Sequence, residues 1–548
     1  MKKVLIVGGV AGGATAAARL RRLNESAEII MIERGEHISF ANCGLPYYIG
    51  GSIANREDLL LQTPESFRRR FNVDVRVQSE ALSIDRESKT VEIKDRRTGK
   101  TYSESYDKLL LSPGGAPIKP PIEGINSEQV FTLRNMSDTD KIKEYIQKNH
   151  PKSAAVVGGG FIGIEMAENL SEAGLEVSII ELSDQVIAPL DIDIACDVHH
   201  HLRRHRVSLH LNNGLQRIIE QNNSLSIELS KGSIKADMVI LAIGVRSESL
   251  LAKDAGLKVN ERGGIVTDRH MLTSDPDIYA AGDAVEVTDF VTGQAAMIPL
   301  AGPANKQARI AADNICGIQS EYTGTQGSAV IKVFDMTVAS TGINEKTAKR
   351  LALNYDKAFL WLTGHAGYYP GTSSMSMKVI FEKESGKILG AQIAGYDGVD
   401  KRCDVLATAI RAGMTAADLT RLELCYAPPY SSAKDPVNMA GYVIENILTG
   451  KTKSFHWHDV DALPRDGSVT LLDVRTRGEI IHEGMNGFTN IPLDSLRERL
   501  GELDPSKPVY IVCHSGLRSY IAARILTQNG FDAFNLSGGY RLYNAVRC

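Results

Sequence analysis

Short apolar runs ending in small residues punctuate this chain, and several are followed by a stretch of helical periodicity. Residues 4–7 (VLIV) predict a buried strand, glycines follow, and an alanine-rich segment predicts the first helix. Residues 29–33 (IIMIE) predict the next strand, ending in Glu33. The pattern returns at 154–163 (AAVVGGGFIG), with a helix to about residue 173 and a strand at 177–182 (VSIIEL). Two such βαβ units make a long-range internal repeat. Further buried strands are expected at 107–111, 237–243 and 276–285. Between about 325 and 450 the character changes to strand-like stretches (AVIKVF, MKVIFE, GAQIAG), then helices, then a proline corner, YAPPYSSAKDP. Residues 450–458 (GKTKSFHWH) read as a linker, and the last 90 residues restart an αβ alternation.

At 548 residues the chain predicts about three or four domains. A formal net charge of −4 supplies no bulk attraction to nucleic acid or membrane, so neither partner is expected and an anionic ligand needs a local basic cluster. The opening residues superficially match a secretion signal. Gly8, Gly9, Gly12 and Gly13 interrupt the apolar run, however, and Arg19, Arg21 and Arg22 continue a helix pattern, so strand, turn and helix is the better reading. No stretch of about 18 apolar residues appears elsewhere, so no membrane span is expected and the cytoplasm is the expected compartment. Seven cysteines, Cys43, Cys196, Cys316, Cys403, Cys425, Cys513 and Cys548, are widely spaced without a CxxC. That argues against a disulfide framework or zinc site and for individually reactive thiols.

Two glycine turns carry the first chemistry. A dinucleotide fold places G-x-G-x-x-G between strand and helix, where backbone amides and a helix N-terminus meet a pyrophosphate. The first turn, Gly8-Gly9-Val10-Ala11-Gly12-Gly13, has Val10 at the middle glycine, but Glu33 follows 20 residues after Gly13 at a strand end, where an acid binds ribose hydroxyls. The second, Gly158-x-Gly160-x-x-Gly163, is complete, with Glu181 at its strand end 18 residues on. An acid there repels a 2′-phosphate, favouring NADH over NADPH. Two units suggest two nucleotides, a resident flavin and a visiting nicotinamide.

At this point TSDPDIYAAGDA (273–284) and LAIGVR (241–246) resemble the two-dinucleotide disulfide oxidoreductase family over about residues 1–450. The resemblance implies FAD, with Gly282 and Asp283 at its ribitol; LLSPGGAP (110–117) departs from the family's Ala-Thr-Gly turn at Ser112-Pro113. Most members carry a cysteine pair near residue 40, whereas SFANCGLPYY (39–48) holds one, Cys43. A single thiol cannot close an intrachain disulfide, so its oxidised partner comes from outside the chain. Cys43 is expected to open a helix whose amides lower its pKa. SFxNCGLPY resembles coenzyme A disulfide reductases and their single-cysteine relatives. That resemblance implies coenzyme A as the bound thiol, with Thr15, Arg19, Arg22, Ser39, Asn42, Asn305 and Lys434 at the substrate. Arg19 and Arg22 share a helix face suited to phosphates, while Arg21 points elsewhere. It further implies a homodimer in which Tyr426 and Tyr368 reach the partner subunit's Cys43 and protonate a leaving sulfur; Tyr369 or Tyr430 are alternatives.

LLDVR (471–475) and CHSGLRS (513–519) resemble rhodanese. Cys513 would be a sulfur-accepting nucleophile in a cradle of amides, Arg518 would stabilise it, and Asp473 with Arg475 would brace the loop. HEGMNGFTNIP departs slightly from the usual HIxGAxNIP. The remaining cysteines read as packing or surface residues. His201 and His205 share a helical face beside His199 and His200, but with no third ligand in sequence they read as a solvated helix, and no metal is expected.

The expected architecture is α/β: an FAD-binding domain (1–117 and 246–322), an NAD(P)H-binding domain (118–245), both Rossmann-like, an α+β dimerisation domain (323–450), a linker (451–458) and a rhodanese α/β domain (459–548). The resemblance to coenzyme A disulfide reductase–rhodanese fusions implies hydride flow from NADH, or NADPH, through FAD to Cys43, with coenzyme A disulfide, coenzyme A persulfide or polysulfide as substrate. The alternatives are an NADH oxidase or peroxidase cycling Cys43 through sulfenic acid, and a redox-sensing flavoprotein without turnover.

Overall fold

The computed structural model describes residues 3–221, 224–481 and 483–547. The chain divides into two compact units, Met1–Val186 with Arg206–Gly327, and Ile187–His205 with Ser328–Cys548.

The first unit holds two five-stranded parallel sheets built alike. One runs Ile278–Ala280, Lys108–Leu111, Lys3–Val7, Glu28–Ile32, Asp74–Arg76. The other runs Ser208–His210, Glu176–Ile180, Ser153–Val157, Met238–Leu241, Val130–Thr132. In each, the strand before a glycine turn lies centrally, and its four last residues are apolar or small and buried. Such continuous runs belong to strands covered on both faces. The helix Ala11–Leu23 buries Ala16, Ala17 and Leu20 completely and packs on the helix Ala301–Ile315. Small side chains let the two backbones approach.

The second unit contains a five-stranded antiparallel sheet in the order Ala329–Val333, Met336–Gly342, Ile388–Gly395, Ser374–Glu382, Tyr355–Thr363. The helix Val399–Arg411 packs on it, and so does Ile192–Arg204. Residues 187–205, inside the stretch read as the nucleotide domain, thus fold with this unit. The cause is chemical: Lys378, 1% exposed on the sheet, is surrounded by Asp191, Asp193 and Glu345. A parallel sheet follows, in the order Lys453–Phe455, Ala533–Leu536, Val509–Val512, Thr470–Asp473, Thr489–Asn490. Its edge strand lies within the stretch read as a linker. Only Phe455 of its three residues is buried, too little alternation to mark a strand in sequence.

Candidate functional site

Sterics set the two glycine turns. Gly8 has φ +99°, and a Cβ there would sit 2.0 Å from the Ser112 carbonyl oxygen. A Cβ on Gly13 would sit 1.7 Å from the Gly8 oxygen. Gly158 and Gly163 repeat this pair, with φ +109° and a Cβ contact of 1.9 Å. Gly160 has open space around it instead, so its missing side chain serves an approach from outside. Val10 occupies the corresponding place in the first turn and is the N-cap of its helix. Neither following helix has a side-chain cap or an acid in its first turn. Amides at the starts of two helices of 13 and 12 residues are therefore available to an anion.

The two acids are placed identically. Glu33 accepts the Gly9 amide at 2.8 Å on one oxygen and the Gly35 amide at 2.7 Å on the other. Glu181 accepts Gly159 at 2.7 Å and Ser183 at 2.8 Å. Each carboxylate oxygen keeps a lone pair for a sugar hydroxyl. These turns, uncapped helices and fixed acids fit dinucleotides. Gly282 and Asp283 join the first turn through Ser112, whose hydroxyl lies against Gly12 and Gly282. Asp283 is paired with Arg134 at 3.0 Å.

Cys43 lies exposed in a short 3-10 turn, Asn42–Gly44, that leads into the helix Leu45–Gly50. Its sulfur is 3.9 Å from Asn42 Oδ1. The expected depressed pKa is not what the surrounding groups produce. Partial desolvation of the sulfur pushes the thiol up, the carboxylates of Glu165 and Asp283 add to this, and only Arg134 works the other way. The helix behind Cys43 has only six residues, too short to outweigh two acids. Glu165, on the second glycine unit's helix, is itself pushed up to about 7 by desolvation, opposed by a long 3.4 Å hydrogen bond from Tyr47.

The other residues implied for substrate fall together in part. Thr15 donates to Asn305 Oδ1 at 2.8 Å, across the two packed helices. Arg19 is held by Asp313 at 2.7 Å, so one of the two arginines expected at phosphates already has a carboxylate partner. Arg22 is exposed. Arg21 turns inward, 5% exposed, and donates to the carbonyls of Phe71, Asn24, Glu25 and Asn72. Ser39 takes a left-handed φ of 45° and donates its amide to the Gly9 carbonyl.

In the second unit Tyr368 and Tyr426 share a hydrogen bond of 2.9 Å between hydroxyls, both side chains exposed. That bond raises the Tyr368 pKa, keeping its proton in place. Tyr369, Tyr430 and Lys434 are also exposed. Cys513 follows the central strand Val509–Val512, fully buried, at the start of the helix Leu517–Gln528. Its sulfur accepts the Gly516 amide and the Ser519 hydroxyl, both at 3.1 Å. Arg518 forks onto Glu479 at 2.8 and 2.6 Å. That bond, foremost, holds the Glu479 carboxyl down at about 2. Arg475 is clamped by Asp473 at 2.6 Å and stacks 4.1 Å from the Tyr540 ring. Tyr540 donates its amide to the Cys513 carbonyl at 2.8 Å, so the clamp reaches the loop through that ring. Cys196 and Cys403 are buried, Cys316 is half-buried and Cys425 exposed; Cys548, and His482 of the motif HEGMNGFTNIP, lie outside the described residues.

The family model of pyridine nucleotide-disulphide oxidoreductases matches residues 2–308. The chain belongs to that family. The family's dimerisation-domain model matches residues 328–436, and a rhodanese-like domain model matches 456–545. This oxidoreductase is thus fused to a rhodanese-like domain. It is similar, at 53% identity and a TM-score of 0.97, to the reduced CoADR-RHD of Bacillus anthracis, over 100% of this chain and 98% of that one. A NAD-dependent persulfide reductase from A. fulgidus is 39% identical with a TM-score of 0.92, over 98% and 99% of the two chains. A coenzyme A disulfide reductase of Staphylococcus haemolyticus is 36% identical over 448 residues, 82% of this chain and all of its own length. Among the described residues no helix is long and apolar enough to cross a membrane.

Sequence reasoning passed over four side chains of this oxidoreductase. Ser519 ends the CHSGLRS motif, and its hydroxyl could have been read as a donor. Glu479 stands three residues after Thr476, a capping box visible in sequence. Arg134 and Glu165 carry no such signal, because only tertiary packing brings them to Asp283 and Cys43.

Proposed function

We propose that this oxidoreductase reduces sulfur–sulfur bonds of coenzyme A, the disulfide or the persulfide, with Cys43 as the attacking thiol and the rhodanese-like domain handling sulfane sulfur. The observation that carries the reading is Cys43 in the same unit as two glycine turns shaped for dinucleotides, in a chain that also holds Cys513 on a loop where the Gly516 amide and the Ser519 hydroxyl donate to its sulfur. FAD at the first turn, when bound, supplies the two-electron relay from NADH at the second. Gly8, Gly9, Gly12 and Gly13 with Glu33, Gly282 and Asp283 hold the flavin nucleotide; Gly158, Gly160, Gly163 and Glu181 hold the nicotinamide one.

Cys43 thiolate attacks one sulfur of the substrate, forming a mixed disulfide and releasing the other sulfur as a thiol or hydrosulfide. Two electrons then break that mixed disulfide, releasing coenzyme A and restoring Cys43. For the disulfide the balance is NADH plus a proton giving NAD+ and two coenzyme A thiols. Thr15, Arg19, Arg22, Ser39, Asn42, Asn305 and Lys434 position the coenzyme A moiety. Tyr368 and Tyr426 of a second copy in a homodimer donate the proton to the leaving sulfur. Their mutual hydrogen bond keeps one hydroxyl proton poised. Cys513 carries sulfane sulfur as a persulfide, which Gly516 and Ser519 stabilise.

NADH oxidation measured with coenzyme A disulfide, coenzyme A persulfide, peroxide and oxygen tests this. The coenzyme A substrates should give the highest kcat/KM, and Cys43→Ser should abolish both. Cys513→Ser should remove sulfur transfer from thiosulfate and spare disulfide reduction. A much higher kcat/KM with peroxide or oxygen would make Cys43 a sulfenic-acid centre instead.

A further inference from the structure

The histidines on the helix Ile192–Arg204 and just beyond it have a third partner that their spacing could not show. His201 and its neighbour His205 project from the helix toward the tight turn between the strands Ala329–Val333 and Met336–Gly342. That turn is two residues, Phe334 and Asp335. His201 Nε2 lies 2.9 Å, and His205 Nε2 3.3 Å, from the same oxygen, Asp335 Oδ1. One donor atom from each of the three residues falls within 4.8 Å of the others. His201 is 4% exposed, and its Nε2 is buried without a hydrogen bond of acceptable geometry, although the carboxylate is near. The nitrogen therefore points into the cluster without being satisfied by it.

We propose that His201, His205 and Asp335 form a binding site for one divalent transition cation, zinc being the best match, that clips the helix to the hairpin. Two imidazoles and one carboxylate are the donor set of three-ligand zinc sites, which keep a fourth position for solvent. A tetrahedral ion with bonds of about 2.0–2.2 Å separates neighbouring donors by about 3.3 Å, close to the two spacings seen here. Asp335 is 68% exposed and His205 37%, so the ion and its solvent ligand can exchange from outside. The ligands are also oriented from behind. Tyr396 Oη lies 3.5 Å from His201 Nδ1, an outer partner for the ring's other nitrogen. Phe334 stacks on His205, centroids 3.9 Å apart and planes within 6°, fixing that ring's plane.

The test uses full-length holoenzyme, stripped with chelator and with the exposed Cys43 and Cys425 alkylated so that their thiolates cannot bind the metal. Equilibrium dialysis against zinc, read by elemental mass spectrometry, should show one saturable zinc per chain and a raised thermal midpoint. Asp335→Asn and His205→Ala should each weaken that binding by at least about tenfold. Both positions are solvent-facing, so the metal-free midpoint should stay near that of the unsubstituted chain. No saturable zinc in the alkylated protein, or undiminished zinc binding in either variant, would overturn the proposal.

Discussion

Around Cys43, desolvation raises the thiol's pKa most, and the carboxylates of Glu165 and Asp283 add to it. Glu165 raises the thiol's pKa when ionised, and its own pKa is pushed up to about 7, so the effect switches on as pH passes neutrality. Glu165→Gln should therefore shift Cys43 reactivity to lower pH, read as the midpoint of the iodoacetamide alkylation rate. An unmoved midpoint would mean that desolvation alone governs the thiol. The same substitution has a stability consequence. The Glu165 carboxyl is raised from 4.5 to about 7 on folding, so the folded chain binds more protons between those values. Stability from this group is full below pH 4.5 and is lost as pH rises through about 7. The Gln variant should lack that slope and gain stability over the wild type above pH 7, by denaturant titration at several pH values. At Cys513, Ser519 supplies one of two hydrogen bonds to the sulfur. A hydrogen bond to a charged group contributes about 1.5–3 kcal/mol, so Ser519→Ala should slow thiosulfate-dependent sulfur transfer about tenfold or more. A rate within twofold of wild type would leave the Gly516 amide sufficient.

At the scale of elements, much was readable because it rests on local rules. The strand, glycine turn and helix units follow from apolar runs and from glycines that no Cβ can replace, and both acids sit where the spacing put them. What stayed hidden depends on partners far along the chain. Asp335 is 130 residues from His205, and Lys378 is 185 from Asp193. No periodicity connects them. That second pair explains why the helix Ile192–Arg204 leaves the domain its position suggested. Lys378 Nζ contacts Asp193 at 2.8 Å, Glu345 at 2.7 Å and Asp191 at 3.1 Å, and Lys357 adds a second cation at Glu345, 2.6 Å away. Lys378→Met would leave three buried carboxylates against one buried ammonium, Lys357, with the exposed Lys349 also at Glu345, 3.0 Å away. Breaking a buried charge group in this way costs about 3–5 kcal/mol. The variant should unfold at correspondingly lower denaturant in this unit, and a loss under about 1 kcal/mol would show the carboxylates finding protons or water instead.

Across the second unit as a whole, the Cys513 loop is tied to the antiparallel sheet by a short path of contacts. Trp361, on the edge strand Tyr355–Thr363, donates its indole N–H to the Gly538 carbonyl at 2.9 Å, and Arg541 stacks over its ring at 3.6 Å. Phe359, two residues earlier, donates its amide to the Ser537 hydroxyl at 3.3 Å. Just beyond Gly538, the amides of Tyr540 and Arg541 hold the carbonyls of Cys513 and His514 at 2.8 and 2.9 Å. The backbone that seats on the sheet is therefore the backbone that fixes the Cys513 loop. Trp361→Ala removes the indole donor and the surface under Arg541 together, while leaving every loop residue unchanged. A stacked, partly desolvated cation–π contact contributes about 0.5–2 kcal/mol, and the lost hydrogen bond about 1 kcal/mol more. The loop should then sample misplaced positions, and sulfur transfer from thiosulfate should fall several-fold. FAD content and coenzyme A disulfide reduction, which in the proposed function use residues of the other unit and the tyrosine pair, should hold. Parallel losses in both activities would instead point to general unfolding, and unchanged sulfur transfer would show the Asp473–Arg475 clamp sufficient to brace the loop alone.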